Sequence, residues 1–319
     1  MNTKEPIVIH GQTIGRFKAS WLLFKETFRF LRADPEVVAV PLIVGLCHLF
    51  LFGVVLFGYI ALMFQGVIPD SEELGPVDYG FIFVLYILSA FAVAITNATI
   101  AFIVAVRATG GDATLGQGFG AAFKKASPLL VWSAIAATVG LILRVVSERS
   151  QLLGKIVAMV AGAAWAILTY FVIQAIMLEG HSAPKGIARS GQVFRSVWGE
   201  MLVTNFSFGL VFFLVYVIVI IGWLGLFVAL LSTPVAAIVM TVLLFVVIFA
   251  VSLLHSAMSS VLKTLLFIYA TNGGAVQGFD PELLDRMLKK NNNNNSNNTN
   301  PAPTATPMPI IDAPPRDQA

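Results

Sequence analysis

The side chains that could do chemistry are few, and they are set in apolar surroundings. The densest group falls in the last apolar run, where Ser252, His255, Ser256, Ser259, Ser260, Lys263 and Thr264 take one half of a helix at 100° per residue. Leu254, Met258, Val261, Leu262 and Leu265 take the other half. Such a half-face has two uses. As one helix, residues 235 to 270 would measure about 54 Å, longer than a hydrocarbon layer, so its polar end can simply emerge into water. Alternatively, the half-face lines a groove in which Lys263 attracts an anionic headgroup or metabolite, flanked by His255, Ser256 and Ser259. Elsewhere the polar residues inside apolar runs are Thr96, Asn97 and Thr99, then Gln174, then Thr204, Asn205 and Ser207, with His48 near the start. Most are hydrogen-bonders and not titratable catalysts. Asn97, Gln174 and Asn205 are expected to cross-link helices, and lining a ligand path is the sharper alternative.

Constellations for catalysis are missing from the sequence. It holds no His-Glu-x-x-His, no carboxylate pair inside an apolar run and no Gly-x-Ser-x-Gly elbow. His10, His48, His181 and His255 do not fall at ligand spacing, and Cys47 is the single cysteine. The Gly-rich stretches GGDATLGQGFGAAFKK and EGHSAPKGIARSGQVFRSVWGE lack the strand–turn–helix setting and the Gly-Lys-Ser/Thr of a phosphate cradle. The expectation is no enzyme, no metal and no cofactor.

The elements that position these residues follow from composition. Hydrophobic residues make up 57% of 319 positions and charged residues 12%, an apolar excess that a water-soluble core cannot absorb. The runs are continuously apolar, which favours helices over the alternating strands of a barrel. Spans are predicted at 37 to 65, 79 to 106, 129 to 146, 153 to 178, 202 to 230 and 235 to 258, giving an all-α polytopic bundle of six helices. Ala136 with Gly140 and Ala158 with Gly162 allow close helix approach, which predicts the third and fourth spans as the inner pair.

Basic residues set the orientation. With the N-terminus in the cytoplasm, 17 of the 20 Lys and Arg lie on that side, and the first outer loop holds Asp70, Glu72, Glu73 and Asp78 without a basic residue. Both termini are therefore expected in the cytoplasm, in a cell membrane. Arg144 and Glu148 stand four apart, so an ion pair would relieve the basic second outer loop. The net charge of +3 reads as topology, and no nucleic-acid partner is expected.

Before the first, third and fifth spans lie segments mixing aromatic and basic residues at helical spacing: Ser20, Phe24 and Lys25; Phe123 and Lys124; Ser190, Phe194 and Arg195. They predict interfacial helices with apolar faces toward acyl chains, each leading into a hairpin. The chain then parses into three units, 15 to 106, 116 to 178 and 185 to 270. By domain, residues 1–36 form a cytoplasmic segment, 37–270 the membrane domain and 271–290 a short helix begun by Asp280 and Pro281. Residues 291–319 form an Asn- and Pro-rich tail expected to be disordered.

The stretches GRFKASWLLFKETFRFLRADPE, ATVGLILRVVSERSQLLGKIVAMVAGAAW, SGQVFRSVWGEMLVTNFSFGL and IYATNGGAVQGFDPELL resemble an uncharacterised family of six-pass prokaryotic membrane proteins with a domain of unknown function. The resemblance covers residues 12 to 285. It implies a cytoplasmic membrane and six spans, and it brings no activity or catalytic residues. A looser likeness, in hairpins preceded by basic amphipathic segments, is to the membrane domain attached to some bacterial glycerophosphodiester phosphodiesterases, whose catalytic domain is missing here. The leading expectation is a non-enzymatic protein whose short helices meet anionic inner-leaflet lipids, with a protein partner or homo-oligomer as a further possibility. A transporter or permease of a small or lipidic molecule is the alternative.

Overall fold

Six stretches of helix are long and apolar enough to cross a membrane: Glu36–Phe64, Pro76–Ala108, Ala126–Glu148, Gly154–Leu178, Gly209–Val228 and Val235–Thr271. They agree in number and place with the hydropathy reading. The computed structural model describes residues 7–9, 12–14, 16–68, 75–149, 152–196, 198–229 and 233–272, and the side chains of residues up to 20 and of 23, 33, 149, 152, 153, 196, 198–208, 229, 234 and 272 are outside that description. The predicted helix at 281–290, the tail from 291, the acidic residues 70–73 and the Asn205 side chain therefore lie outside the described residues.

The fold is all-α, preceded by a small antiparallel hairpin of β1 (Ile7–Ile9) and β2 (Gln12–Ile14). The helices are α1 (Arg16–Ala33), α2 (Glu36–Phe64), α3 (Pro76–Ala108), α4 (Leu115–Lys124), α5 (Ala126–Arg149), α6 (Leu152–Leu168), α7 (Val172–Leu178), α8 (Ala183–Ser196), α9 (Trp198–Ala229) and α10 (Pro234–Asn272). Their ends follow local chemistry. Glycines at positive φ, Gly66, Gly110 and Gly180, stand just past α2, α3 and α7, where only a residue without a Cβ turns the chain without strain. Thr114 caps α4, its hydroxyl accepting from the Gln117 N–H while the Gln117 side chain accepts from the Thr114 N–H.

Two compact units contain these elements: Ala39–Arg195, and Met1–Val38 with the chain from Ser196. In the first, α3 packs against α4, α5 and α7. It is the inner span: 50% of its apolar window is buried, against 22% and 17% for the third and fourth spans. The expectation of an inner pair formed by those two is corrected. Gly140 does approach Tyr86, and Gly162 approaches Leu143, but small residues report a contact and not its depth. The better signal was the alanine row of α3, with Ala94, Ala98, Ala101 and Ala105 all completely buried.

The fourth span is broken. Between α6 and α7, residues 169–171 leave the helix, and the Phe171 N–H donates to the Ser190 hydroxyl at 2.9 Å. The Thr169 hydroxyl donates back to the Trp165 carbonyl at 2.7 Å, a local competitor of the helical ladder. Non-helical backbone beside lipid requires protein cover and a replacement partner. Phe171 and Ser190 are both fully buried.

The short helices pack otherwise than predicted. α4 lies chiefly on α3, with Gly118 against Ile103 and Thr99. α8 lies on the broken span, with Gly191 against Leu168, Gly186 against Ile176 and Val172, and Phe194 edge-on to Tyr170 at 6.0 Å. In the second unit α1 packs on α9 and α10. The inner faces of α4 and α8 therefore meet protein and not acyl chains. α4 packs on the end of the hairpin before it, α8 on the broken span before it, and α1, from the start of the chain, on the last hairpin. Two stretches also repeat in the sequence: Ala108-Thr109-Gly110-Gly111 and Gln117-Gly118-Phe119 have counterparts in Ala270-Thr271-Asn272-Gly273-Gly274 and Gln277-Gly278-Phe279. Both matched threonine hydroxyls bond back into their own helix, Thr109 most closely to the Val106 carbonyl three residues back at 2.8 Å and Thr271 to the Phe267 carbonyl four residues back at 2.9 Å.

Gly118 tests the seating of α4. A Cβ there would stand 3.0 Å from Ile103 and Thr99 carbons, whereas one at Gly120 meets nothing within 4 Å. Gly118→Val is expected to destabilise by about 1–2 kcal/mol through overpacking. Gly120→Ala should be neutral or stabilising by up to about 1 kcal/mol. Thermal melts in detergent compare the two, and equal melting would refute the seating.

Candidate functional site

α10 is one helix of 39 residues, about 58 Å long, and carries its polar residues at the end nearer Asn272. The predicted polar half divides in two. Ser252 and Ser256 are exposed and continue into part-buried Ser259 and Lys263, with part-buried His255 beside them, whereas Ser260 and Thr264 are buried with Met258, Val261 and Leu265. Packing of α10 through the latter side caused the division. The Thr264 hydroxyl donates to the Ser260 carbonyl at 2.9 Å, and the buried Ser260 hydroxyl has no hydrogen-bond partner among the described residues.

His255 is held by rings and not by ions. Its imidazole stacks on Phe212 of α9 with centroids 4.3 Å apart, and Tyr216 approaches it at 6.5 Å. The Tyr216 hydroxyl meets the Ser252 hydroxyl at 3.1 Å, and Ser252 also bonds the Ile248 carbonyl. Phe212 continues to Phe24 of α1 at 6.0 Å, and Phe24 stacks on Trp21 at 5.2 Å. Lys25 lies over the Trp21 ring at 5.9 Å, within cation–π reach. A ladder of rings thus joins an exposed aromatic on α1 to the polar row of α10.

Thus His255, Ser256, Ser259 and Lys263 share one helix face in one unit. Asn97 belongs to the other unit, where its amide donates to the Val93 carbonyl of its own helix at 2.8 Å and cross-links no other helix among the described residues. The i−4 carbonyl is simply the nearest acceptor. Gln174 is buried on α7, and among the described residues its Oε1 has no hydrogen-bond partner. Cross-links come instead from His48 with Ser89 at 3.3 Å and Arg144 with Tyr86 at 3.4 Å. The expected Arg144–Glu148 pair is present at 2.7 Å. Among the described residues no group of three or more His, Cys, Asp or Glu converges to hold a metal.

Sequence reasoning missed a charged clasp at the α7–α8 turn. Arg189 donates to both oxygens of Glu179, Nε at 2.8 Å and Nη2 at 2.7 Å, and His181 Nε2 lies 3.0 Å from the same carboxylate. Those hydrogen bonds raise the Arg189 pKa above its ordinary value, against the opposing effect of desolvation, so the guanidinium stays ionised. The signal available was Glu179 beside a turn glycine and Arg189 on the following basic helix.

A family model matches residues 77–278, more than half of the chain. The chain belongs to the Family of unknown function (DUF6159). The DUF6159 region holds nearly all of α3 and everything from there through α10, and so includes the clasp, the broken span and the polar row. α1 and α2 precede it, so the match is shorter than the resemblance at 12 to 285. No curated protein and no solved structure matches the chain. The DUF6159 protein is thus a multi-pass integral membrane protein whose family assigns no activity.

Proposed function

We propose that this protein is a non-enzymatic component of the cytoplasmic membrane that gathers anionic lipid through α1, α4 and α8 on the inner leaflet, and so organises lipid or a partner there. One observation carries the reading. The short helices are tied inward to protein and leave basic residues uncovered on the other side: Lys25, Arg29 and Arg32 with Trp21 and Phe28 on α1, Lys124 with Phe123 on α4, and Lys185 and Arg195 on α8. Exposed aromatic and basic residues beside the ends of apolar spans suit the headgroup layer. The excess of Lys and Arg supports placing these helices, and both termini, in the cytoplasm.

Lipid retained by the protein in mild detergent, measured by native mass spectrometry, tests it. Each cation near an anionic surface contributes about 1 kcal/mol, so K25Q/R29Q/R32Q together should lower phosphatidylglycerol retention by tenfold or more. Unchanged retention would overturn the proposal. A second reading, transport of a small or lipidic molecule, draws on the part-buried polar row from His255 to Lys263 and the broken fourth span. Saturable tracer uptake into proteoliposomes that is lost in H255A/K263A would favour it instead.

A further inference from the structure

A cleft of about 170 Å³ lies between α2 and α3, toward the end where the chain passes from one helix to the other. Its walls are apolar, from Val55 and Leu56 on α2 to Phe81 and Leu85 on α3, and two polar residues, Tyr59 and Asp78, complete the lining. The outer surfaces of α2 are exposed and apolar, so the medium around the cleft is hydrocarbon. Asp78 lies in the first turn of α3, and Leu85 is seven residues further along, about 10 Å deeper. The cleft thus runs from the membrane boundary inward, with Tyr59 and Asp78 at its mouth and apolar side chains along its length.

Asp78 is 8% exposed, and its carboxylate is fixed from two sides. The Tyr59 hydroxyl donates to Oδ1 at 2.7 Å, and the Gly75 N–H donates to Oδ2 at 2.6 Å. Tyr59 is itself held edge-on by Phe81 at 4.8 Å. Both donors are neutral, and among the described residues no Lys, Arg or His pairs with Asp78. The N-terminal helix dipole offsets part of the charge. A carboxylate beside hydrocarbon with only neutral donors still favours a cation, and a carboxylate oxygen has lone pairs for a further donor. The space below suits hydrocarbon of about six carbons.

From this charge and shape we propose that the cleft binds an amphiphile with a primary ammonium head and no net negative charge, which among common bilayer lipids is phosphatidylethanolamine, its ammonium on Asp78 and a chain segment between Val55 and Leu85. The site is separate from the anionic-lipid surface, and the two proposals fail separately, one on phosphatidylethanolamine and the other on phosphatidylglycerol. The test offers the full-length protein in mild detergent an equimolar mixture of phosphatidylethanolamine, phosphatidylcholine and phosphatidylglycerol, and reads retained lipid by native mass spectrometry. One phosphatidylethanolamine should be retained over phosphatidylcholine, whose methylated head cannot donate to Asp78. Asp78→Asn removes the charge and should reduce retention about tenfold. Leu85→Trp leaves Asp78 intact, fills the cleft and should do the same, so a fold defect in one variant does not decide the matter. Octylamine that displaces the lipid would widen the site to alkylammonium ions in general, and failure to displace would assign it to the lipid; both outcomes retain the cation on Asp78. Equal retention of phosphatidylethanolamine and phosphatidylcholine, or wild-type retention in both variants, overturns the proposal.

Discussion

Phe171→Ala is expected to destabilise the detergent-solubilised protein by about 3–5 kcal/mol, the cost of removing a fully buried aromatic side chain. Phe171 is among the largest wholly buried side chains, and it sits where the fourth span breaks. Its ring meets Tyr170 edge-on at 4.8 Å, and its N–H is bonded by Ser190 of α8. Ser190→Ala should by itself cost about 1–3 kcal/mol, because it strands a buried N–H. The two losses should not add, since both loosen one junction between α7 and α8. Denaturant titration measures the energies, and hydrogen exchange over 172–178 locates them. Protection there unchanged in both variants would refute the junction as described.

Glu179→Ala should cost about 2–3 kcal/mol, below the value for a fully buried pair because Glu179 and Arg189 are 18% and 25% exposed. The loss has a specific origin. Removing the carboxylate leaves a largely covered guanidinium and His181 without their shared acceptor. Replacing both partners, as in E179L/R189M, should restore much of the stability because no charge is then left stranded. A double-mutant cycle on E179A and R189A gives the coupling directly, and additive losses would show that the fork contributes nothing. Neither experiment depends on knowing the protein's activity.

The candidate site was partly legible. Ser252, Ser256, Ser259 and Lys263 could be placed on one face because helix periodicity is a property of the chain alone. Ser260 and Thr264 were assigned to the same half, yet they are buried, because periodicity gives an angle and not the neighbour that occupies it. Asn97 looked like a cross-link from its composition and bonds its own helix instead. His48 was noted as polar, but its partner Ser89 stands 41 positions away and no local pattern pairs them.

The number of spans, their helical form and the Arg144–Glu148 pair were determined by sequence alone, for a physical reason. Lipid leaves a backbone only its own hydrogen bonds, so an apolar run of sufficient length becomes a helix whatever lies around it. What only the tertiary structure decided depends on distant neighbours: that α3 is the inner span, that the fourth span breaks to meet Ser190, and that Glu179 closes on Arg189. It also decided where the short helices lie. Their amphipathic pattern demands a partner for one face, and lipid and protein satisfy that demand equally well until packing chooses between them.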